Sequence, residues 1–172
     1  IDGERVDRLD SGALADLRLR HIGFVFQSYN LIPVLSAREN VEFVMQVQGL
    51  PARERSRMAT DILREVGLEG MEDRRPAQLS GGQQQRVAVA RAIVSQPKLV
   101  LADEPTANVD SETAETLLDV MQNLNRERGV TFVFSTHDPR VMNRAKRIVR
   151  LVDGRIESIS EERRVGGAGG GG

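Results

Sequence analysis

The sequence predicts an α/β protein in which buried strands alternate with amphipathic helices. The run Leu99–Ala102 is short and continuously apolar, as in strands buried within a parallel sheet. Ile22–Phe26 and Val130–Phe134 are similarly apolar and also predict buried strands. Between Leu99–Ala102 and Val130–Phe134, apolar residues recur at helical spacing, at Ala114, Leu117, Leu118, Met121 and Leu124.

The segment before the first strand is charged and is predicted to be partly helical. Asp10 and Ser11 are candidate N-caps of its helix, because short polar side chains accept hydrogen bonds from the first helical amides. Gln27 stands at the end of the first strand, and a loop that runs to Pro33 follows it.

A mostly helical insert is predicted between the first two strands. Ser36 and Glu39 fit a capping box, and the helix that follows them ends near Gly49. A second amphipathic helix is predicted over residues 52–66. Residues 36 to about 95 therefore form the insert.

Two further helices flank the strand Leu99–Ala102. One is predicted over Gln83–Val94, directly after Ser80-Gly81-Gly82. The other begins after Asp110 or Ser111, and either side chain can cap it.

The C-terminal part predicts a short helix and a hairpin. Asp138-Pro139 starts the helix, since proline favours the first helical position. Asp153-Gly154 is a two-residue turn signal between the runs 148–152 and 155–159. Residues 161–172 end in an almost pure glycine run and are expected to be a disordered tail.

The composition predicts one globular domain. A length of 172 residues suits a single domain, and 40% hydrophobic residues allow a buried core. The net charge of -1, without a basic stripe, argues against a nucleic-acid partner. The sequence has no cysteine, which excludes disulfides and thiolate metal sites. No apolar run reaches the roughly 18 residues that a transmembrane helix needs.

Ser80-Gly81-Gly82 gives the following helix a start that suits a phosphate. The first amides of a helix are unpaired, and they and the helix dipole both favour an anion. Glycine also permits a close approach of the backbone to a phosphate. This tripeptide alone would equally fit an ordinary turn, so its meaning depends on the rest of the pattern.

Asp103 and Glu104 follow an apolar strand and precede Pro105. An acidic pair at the end of a buried strand can hold a magnesium ion and align a water molecule. A solvated strand end is the alternative, but it does not explain two adjacent acids after four apolar residues.

Together these elements resemble the ATP-binding subunit of an ABC transporter. The resemblance covers residues 1 to about 160. It rests on the signature Leu79–Arg86 (Leu-Ser-Gly-Gly-Gln-Gln-Gln-Arg), on Asp103-Glu104-Pro105, on His137 within Ser135-Thr136-His137-Asp138, and on Gln27 after Phe24-Val25-Phe26.

The resemblance implies a P-loop NTPase-like α/β fold, with a mostly parallel sheet and an inserted helical subdomain at about residues 36–95. The family's P-loop, Gly-x-x-x-x-Gly-Lys-Ser/Thr, is missing, because the only lysines are Lys98 and Lys146 and neither follows a glycine. We therefore expect residues 1–160 to be a partial nucleotide-binding domain, truncated at its N-terminus, that lacks the P-loop strand and helix. Residues 1–172 alone are not expected to form a stable monomer. The alternative is a complete domain with a degenerate site.

The resemblance also implies catalytic and metal-binding roles. Glu104 matches the base that polarises the attacking water, and Asp103 matches a magnesium ligand that acts mainly through water. His137 matches the switch histidine that contacts the γ-phosphate. Gln27 matches the glutamine that reaches the magnesium ion and the water.

A second group of residues is implied to serve the ATP bound by another subunit. In the family, the signature reaches across a head-to-tail dimer to the γ-phosphate on the partner's P-loop. The residues concerned here are Ser80, Gly81, Gly82 and Gln83. Asp110 closes the segment from Pro105 that matches the D-loop, which crosses the dimer interface.

Within the superfamily, Gly23–Pro33 and Leu79–Arg86 are most similar to lipoprotein-releasing and macrolide-efflux ATPases. This implies a subunit that binds ATP and Mg²⁺, hydrolyses ATP and powers a transmembrane permease subunit. The resemblance further implies a dimer with a second nucleotide-binding domain and a cytoplasmic location, peripheral on the inner face of the cell membrane. Because the P-loop is absent, residues 1–172 alone are expected to be inactive.

Two other functions remain open. ABC-type ATPases of chromosome maintenance or DNA repair share the signature and the acidic strand end, but they insert long coiled coils between the two halves. Here Gln27 and Ser80 are joined by a short helical insert without sustained heptads. A non-catalytic interaction module would explain the missing P-loop, but not the retained Glu104 and His137.

Overall fold

A computed structural model describes residue 3 and residues 5–161 of the chain. The chain forms two compact units, one that ends at Thr136 and one that begins at His137. The helices are α1 (Ser11–His21), α2 (Ala37–Val47), α3 (Ala52–Glu65), α4 (Gly81–Ile93), α5 (Ser111–Arg128) and α6 (Pro139–Met142), with a 3-10 turn at Pro76–Gln78. The strands are β1 (Ile22–Val25), β2 (Leu99–Asp103), β3 (Thr131–Ser135), β4 (Arg147–Val152) and β5 (Arg155–Glu161).

The sheet of the first unit has three parallel strands in the order β1-β2-β3. The pairing of β1 with β2 runs up to Val25 opposite Ala102. The pairing of β2 with β3 runs up to Asp103 opposite Ser135. The three strands therefore end at one edge of the sheet. The predicted α/β fold with a parallel sheet and flanking helices is confirmed.

One face of this sheet packs against α4. Val25, Val100 and Ala102 point to this face and are at most 2% exposed. Gly23 allows the close approach, because a Cβ there would lie 2.1 Å from the backbone oxygen of Ala92. Helix α5 adds two fully buried side chains to the same core, Leu117 and Met121.

The insert begins with the predicted capping box. The Ser36 side chain accepts a hydrogen bond from the Glu39 amide at 3.2 Å, and the Glu39 carboxylate accepts one from the Ser36 amide at 2.7 Å. Asn40, 1% exposed, fixes the preceding loop to α2, since its side chain accepts from the amide of Ile32 and donates to its carbonyl. The loop that follows the first strand is thereby anchored at its far end.

Aspartates cap the helices on both sides of the insert. Asp10 caps α1 and Asp110 caps α5, each by accepting a backbone amide hydrogen bond, at 2.8 Å and 2.9 Å respectively. Ser11 and Ser111, the other candidate caps, are the first helical residues instead.

Most element boundaries lie within two residues of the sequence prediction, and the differences at α4 and β1 bear on the site. Helix α4 begins at Gly81 rather than Gln83, because Ser80 is its N-cap and both glycines lie inside the first turn. Strand β1 ends at Val25, one residue before Phe26, which is 39% exposed.

The helices carry charged residues on their outer faces. Helix α5 has 18 residues; charged Glu115 stands between its buried positions Ala114 and Leu117, and charged Asp119 stands between Leu118 and Met121. Among the described residues, no helix has both the length and the apolar character needed to span a bilayer.

The second unit contains α6 and the antiparallel hairpin β4-β5. Its turn is Asp153-Gly154, with φ values of 48° and 73°, as the two-residue turn signal predicts. Glu161, the first residue of the predicted tail, belongs to β5, and residues 162–172 lie outside the described part of the chain.

Candidate functional site

The ends of the three parallel strands bring the predicted acidic pair and Gln27 to one edge of the sheet. Asp103 is the exposed last residue of β2, and Glu104 follows it. Gln27 is exposed two residues after β1, and Thr136 directly follows β3. In open α/β sheets, ligands bind at this edge. The arrangement is therefore suited to a nucleotide and its metal ion.

Glu104 lies in a tight turn, residues 103–110, which we call the acidic turn. Its φ of 42° is in the left-handed region, which costs a residue with a Cβ about 1–3 kcal/mol and persists only where the surrounding contacts enforce it. The Glu104 amide donates to the Ser135 carbonyl at 2.9 Å, and its own carbonyl accepts from the Ala107 amide at 3.2 Å. The Thr136 hydroxyl donates to Glu104 Oε2 at 3.1 Å. These contacts give the carboxylate a fixed direction.

Long-range hydrogen bonds attach the acidic turn to two other segments. Gln85 of α4 donates from Nε2 to the Pro105 carbonyl at 2.8 Å. The Tyr29 hydroxyl donates to the Asn108 carbonyl at 3.1 Å, and Asn108 Nδ2 donates to the Gln27 carbonyl at 2.9 Å. The turn that carries the acidic pair is thus joined to the segment of Gln27 and to the signature helix.

The signature helix α4 has a complete N-terminal cap. The Ser80 hydroxyl accepts from the Gln83 amide at 3.3 Å, and Gln83 Oε1 accepts from the Ser80 amide at 2.9 Å. Gly81 and Gly82 carry the first two helical amides, for which helix geometry provides no partner. Such amides suit an anion, and the contact of this segment with a phosphate remains a prediction.

The two signature glycines have different neighbours. A Cβ on Gly82 would lie 2.1 Å from Cγ2 of Thr113 in α5, so the Thr113 side chain or the two helices must shift to admit any side chain there. A Cβ on Gly81 would lie 2.9 Å from the Tyr29 hydroxyl, the far end of a flexible side chain. Packing therefore requires glycine more strictly at position 82, a reason that the sequence alone did not provide.

The segment after β1, residues 27–30, is held in an unusual conformation, with φ of 61° at Tyr29 and 50° at Asn30. Arg91 of α4 fixes it by donating to the Asn30 carbonyl at 2.6 Å and to the Tyr29 carbonyl at 2.9 Å. Burial lowers the pKa of Arg91 from its ordinary value. Helix α4, about 60 residues farther along the sequence, thus holds the segment that begins with Gln27.

Asp110 ends the acidic turn as the N-cap of α5. The Thr113 hydroxyl donates to its carboxylate at 2.6 Å, and the Thr113 amide donates at 2.9 Å. These hydrogen bonds, that of the hydroxyl first, hold the pKa of Asp110 below its ordinary value. The carboxylate is exposed and carries its charge at neutral pH.

His137 is the exposed first residue of the second unit. Asp138 after it caps the short helix α6 by accepting from the Arg140 amide at 2.9 Å. The predicted contact of His137 with a phosphate remains a prediction.

Sequence reasoning missed Tyr29, Gln85 and Arg91. A signal for Gln85 existed, because helical spacing places it on the same face as the buried residues Ala88 and Val89. A polar side chain on an apolar helix face indicates a specific partner. Tyr29 and Arg91 give no such signal, since their partners lie far away in the sequence.

The residues at the strand ends suit Mg²⁺ better than a metal held by protein alone. In the described part of the chain, no group of three or more acidic or histidine side chains could hold a metal ion. Magnesium is commonly bound by one or two carboxylates together with phosphate oxygens and water. Asp103 and the side chain of Gln27 fit that pattern.

Comparison with known families decides the class of the protein. The sequence pattern of the family described as ABC transporter matches residues 1–107, more than half of the chain. The chain belongs to the ABC transporter family. The matched region includes Gln27, the signature and the acidic pair.

Individual relatives indicate which type of ABC protein this chain resembles. An uncharacterised ABC transporter ATP-binding protein of Thermotoga maritima is 52% identical over 92% of this chain and 68% of its own length. The lipoprotein-releasing system ATP-binding protein LolD of Anaeromyxobacter dehalogenans is 48% identical over 92% of this chain and 66% of its own length. The macrolide export ATP-binding/permease protein MacB 1/2 of Paracoccus denitrificans is 48% identical over 91% of this chain and 23% of its own length.

A solved ABC cassette has the same fold. The dimeric, post-hydrolysis structure of the ATP-binding cassette MJ0796, bound to ADP and Pi, is 42% identical with a TM-score of 0.83. The alignment covers 95% of this chain and 72% of that chain. The predictions of an ABC-type ATPase, and of a member of the lipoprotein-releasing and macrolide-efflux type, are therefore confirmed. This ABC chain spans about two thirds of the length of the first two relatives.

Proposed function

We propose that this chain provides the ATP-hydrolysing machinery of an ABC transporter subunit that powers a permease of the export or lipoprotein-release type. The observation that carries the proposal is Glu104, fixed in a left-handed turn at the end of β2 and oriented by Thr136. Family membership supplies the reaction, and this geometry supplies a carboxylate with a defined direction.

The proposed chemistry needs one oriented base. Glu104 accepts a proton from the attacking water at its carboxylate, and the Thr136 hydroxyl restrains Oε2 of that carboxylate. Phosphoryl transfer depends mainly on positioning and charge stabilisation, so a single placed base is sufficient. His137 is proposed to contact the γ-phosphate, as its position in the family pattern implies.

Bound Mg²⁺ would neutralise charge on the transferred phosphate. Asp103 would hold the ion, mainly through water, and Gln27 would reach the ion and the attacking water. The contact of Asn108 with the Gln27 carbonyl supports this arrangement, since it ties the segment of Gln27 to the turn that carries Asp103.

We assign the signature to the nucleotide of a partner subunit in a head-to-tail dimer. Ser80, Gly81, Gly82 and Gln83 would face the γ-phosphate on the partner's P-loop, and Asp110 would lie near the dimer interface. The capping box supports this role, because it leaves the two glycine amides for an anion. The permease would hold the dimer at the inner face of the cell membrane.

In this proposal, residues 1–160 belong to one nucleotide-binding domain with a helical subdomain at about 36–95. No Gly-x-x-x-x-Gly-Lys-Ser/Thr occurs within residues 1–172. The amides and lysine of that motif hold the β- and γ-phosphates. Residues 1–172 by themselves should therefore neither bind ATP at micromolar concentration nor hydrolyse it.

The test compares the chain with a P-loop-restored subunit, in which the full chain follows an N-terminal segment that carries a P-loop. Calorimetry with Mg-ATP should detect saturable binding by the restored subunit alone, and a phosphate-release assay should detect its turnover. Micromolar binding by residues 1–172 would contradict the need for the P-loop. Binding without turnover by the restored subunit would instead favour a non-catalytic interaction module.

A further inference from the structure

Gln85 is a polar side chain in an apolar part of the core. It is 0% exposed, as are its neighbours on the same helix face, Ala88 and Val89. Its Nε2 donates to the Pro105 carbonyl at 2.8 Å, and among the described residues its buried Oε1 has no hydrogen-bond partner. Burial of an amide with an unsatisfied acceptor opposes folding. Core packing therefore does not account for glutamine at position 85. The hydrogen bond to the Pro105 carbonyl is a contact that an apolar side chain could not make.

The acceptor of this bond is adjacent to Glu104. Pro105 is buried and its ring fixes its φ, so only rotation about its ψ can move its carbonyl independently of the preceding peptide unit. Glu104 in that unit has the left-handed φ of 42°. A strained conformation persists only while neighbouring contacts enforce it. The donor from Gln85 is one of these contacts, and it comes from α4.

The donor is close to the signature glycines along the helix. Gln85 follows Gly81 by four residues, about one helical turn. Because a helix moves as a rigid element over one turn, a shift at the start of α4 displaces the Gln85 amide as well. A single side chain therefore joins the phosphate-facing end of α4 to the acidic turn.

We propose that Gln85 is a positioning residue through which the signature controls the orientation of Glu104. This inference rests on the proposed roles of the signature and of Glu104. A phosphate bound at the signature fixes the start of α4, and Gln85 then fixes the Pro105 carbonyl. The carboxylate of Glu104 is thereby oriented toward the attacking water in the site of its own subunit. The signature serves the partner's nucleotide, so this contact makes hydrolysis in one composite site depend on occupancy of the other.

The test uses Gln85→Met in the P-loop-restored subunit. Methionine keeps the length of the side chain and suits an apolar core, while it removes the donor to Pro105. We expect kcat to fall by about 10- to 100-fold, as for a reacting group displaced by about 1 Å, with KM for ATP within about twofold of the original. The melting temperature should remain within a few degrees. Amide exchange at Ala107, which bonds the Glu104 carbonyl, should be at least about tenfold faster.

Gln48→Met is the matched control. Gln48 also donates from Nε2 to a distant backbone carbonyl, that of Leu19 at 2.8 Å, but it lies outside the signature and the acidic turn. The control should keep its kcat and its amide exchange at Ala107. Normal kcat in Gln85→Met, or a loss matched by its loss of folded protein, would overturn the inference.

Glu104→Gln, assayed beside these variants, distinguishes a failure of the positioning role of Gln85 from a failure of the role of Glu104 as base. An inactive Glu104→Gln together with a fully active Gln85→Met would overturn the positioning role alone. Near-normal turnover of Glu104→Gln would overturn the assignment of the base, and the positioning role with it.

Discussion

The start of the signature helix and the acidic turn are held by different kinds of contact. Ser80 and Gln83 cap the helix reciprocally over three residues of sequence. The acidic turn is bonded by Gln85, 20 residues away from its acceptor, and by Tyr29, 79 residues away. A local cap forms together with its helix, whereas the turn reaches its geometry only in the complete fold. The catalytic edge should therefore be more sensitive to distant substitutions than the signature.

Glu104→Gln tests the acidic turn directly and should have the largest effect. In the P-loop-restored subunit, ATP binding should be retained, while turnover falls by at least about 10²-fold, as expected for loss of a general base. An ATP-bound dimer should accumulate. Phosphate release and size-exclusion chromatography with ATP measure both effects, and turnover near that of the unsubstituted subunit would remove Glu104 from its role.

Gly82→Ala tests the packing behind the signature. The added Cβ would lie 2.1 Å from Thr113 Cγ2, so we expect the free energy of unfolding to fall by about 1–3 kcal/mol, as for other overpacked sites. Urea denaturation of the P-loop-restored subunit measures the change.

The double variant Gly82→Ala, Thr113→Ser is the control for this steric account. Serine lacks Cγ2 and keeps the hydroxyl that donates to Asp110. We expect the double variant to regain most of the lost stability. If it is as unstable as Gly82→Ala alone, the contact with Thr113 is not the reason for glycine at position 82.

Tyr29→Phe removes a long-range tie of the acidic turn without removing the aromatic ring. Loss of the hydroxyl bond to the Asn108 carbonyl should reduce stability by about 0.5–1.5 kcal/mol and speed amide exchange in residues 27–30 and 105–109. Ser28→Ala is the matched control, since within the described part of the chain its hydroxyl bonds locally, to Asn30 at 3.3 Å. Equal exchange in the two variants would contradict a special role for the long-range tie.

Asp110→Asn gives the smallest effect and tests the local cap by its pH dependence. The folded state lowers the pKa of Asp110, so ionised Asp110 adds stability above its unfolded pKa of about 3.9, and this is lost as pH falls through the lower folded pKa. Asparagine is also a good N-cap. The free energy of unfolding of the unsubstituted subunit should thus slightly exceed that of Asp110→Asn near pH 7, and the difference should vanish in acid. Urea denaturation at several pH values checks this, and a difference independent of pH would contradict it.

The distinction between local and distant contacts also explains which parts of the fold and of the candidate site could be predicted from the sequence. The strands and the cap at Ser36 follow from patterns within a few residues, and the sequence predicted them. For the cap of α5, the sequence left Asp110 and Ser111 as alternatives. The start of α4 was placed two residues late, because glycine has a poor helix propensity and the capping role of Ser80 outweighs it. The bonds of Gln85 and Tyr29 to the acidic turn depend on how separate elements pack, which no local pattern encodes.

The central claim is that the signature serves the partner's nucleotide while the acidic turn serves its own. A mixed dimer of P-loop-restored subunits tests it, with the P-loop lysine replaced in one subunit and Gly81→Asp in the other. Position 81 is preferable to 82, because its added Cβ meets only the movable end of Tyr29, at 2.9 Å, and the backbone carbonyl of Asn108, at 3.4 Å.

Vanadate trapping of nucleotide, with the two subunits labelled separately, gives the answer. If the signature acts on the partner, both defects fall in one composite site, and the other site keeps its P-loop and its signature. Nucleotide should then be trapped on the P-loop of the Gly81→Asp subunit. Trapping should be slower than in the unsubstituted dimer, because the signature next to its Glu104 faces an empty site and the added side chain disturbs the Tyr29 bond to Asn108. If the signature acted on its own subunit, each site would carry one defect. Trapping on neither subunit, while a dimer that carries only the lysine replacement still traps nucleotide, would contradict the account.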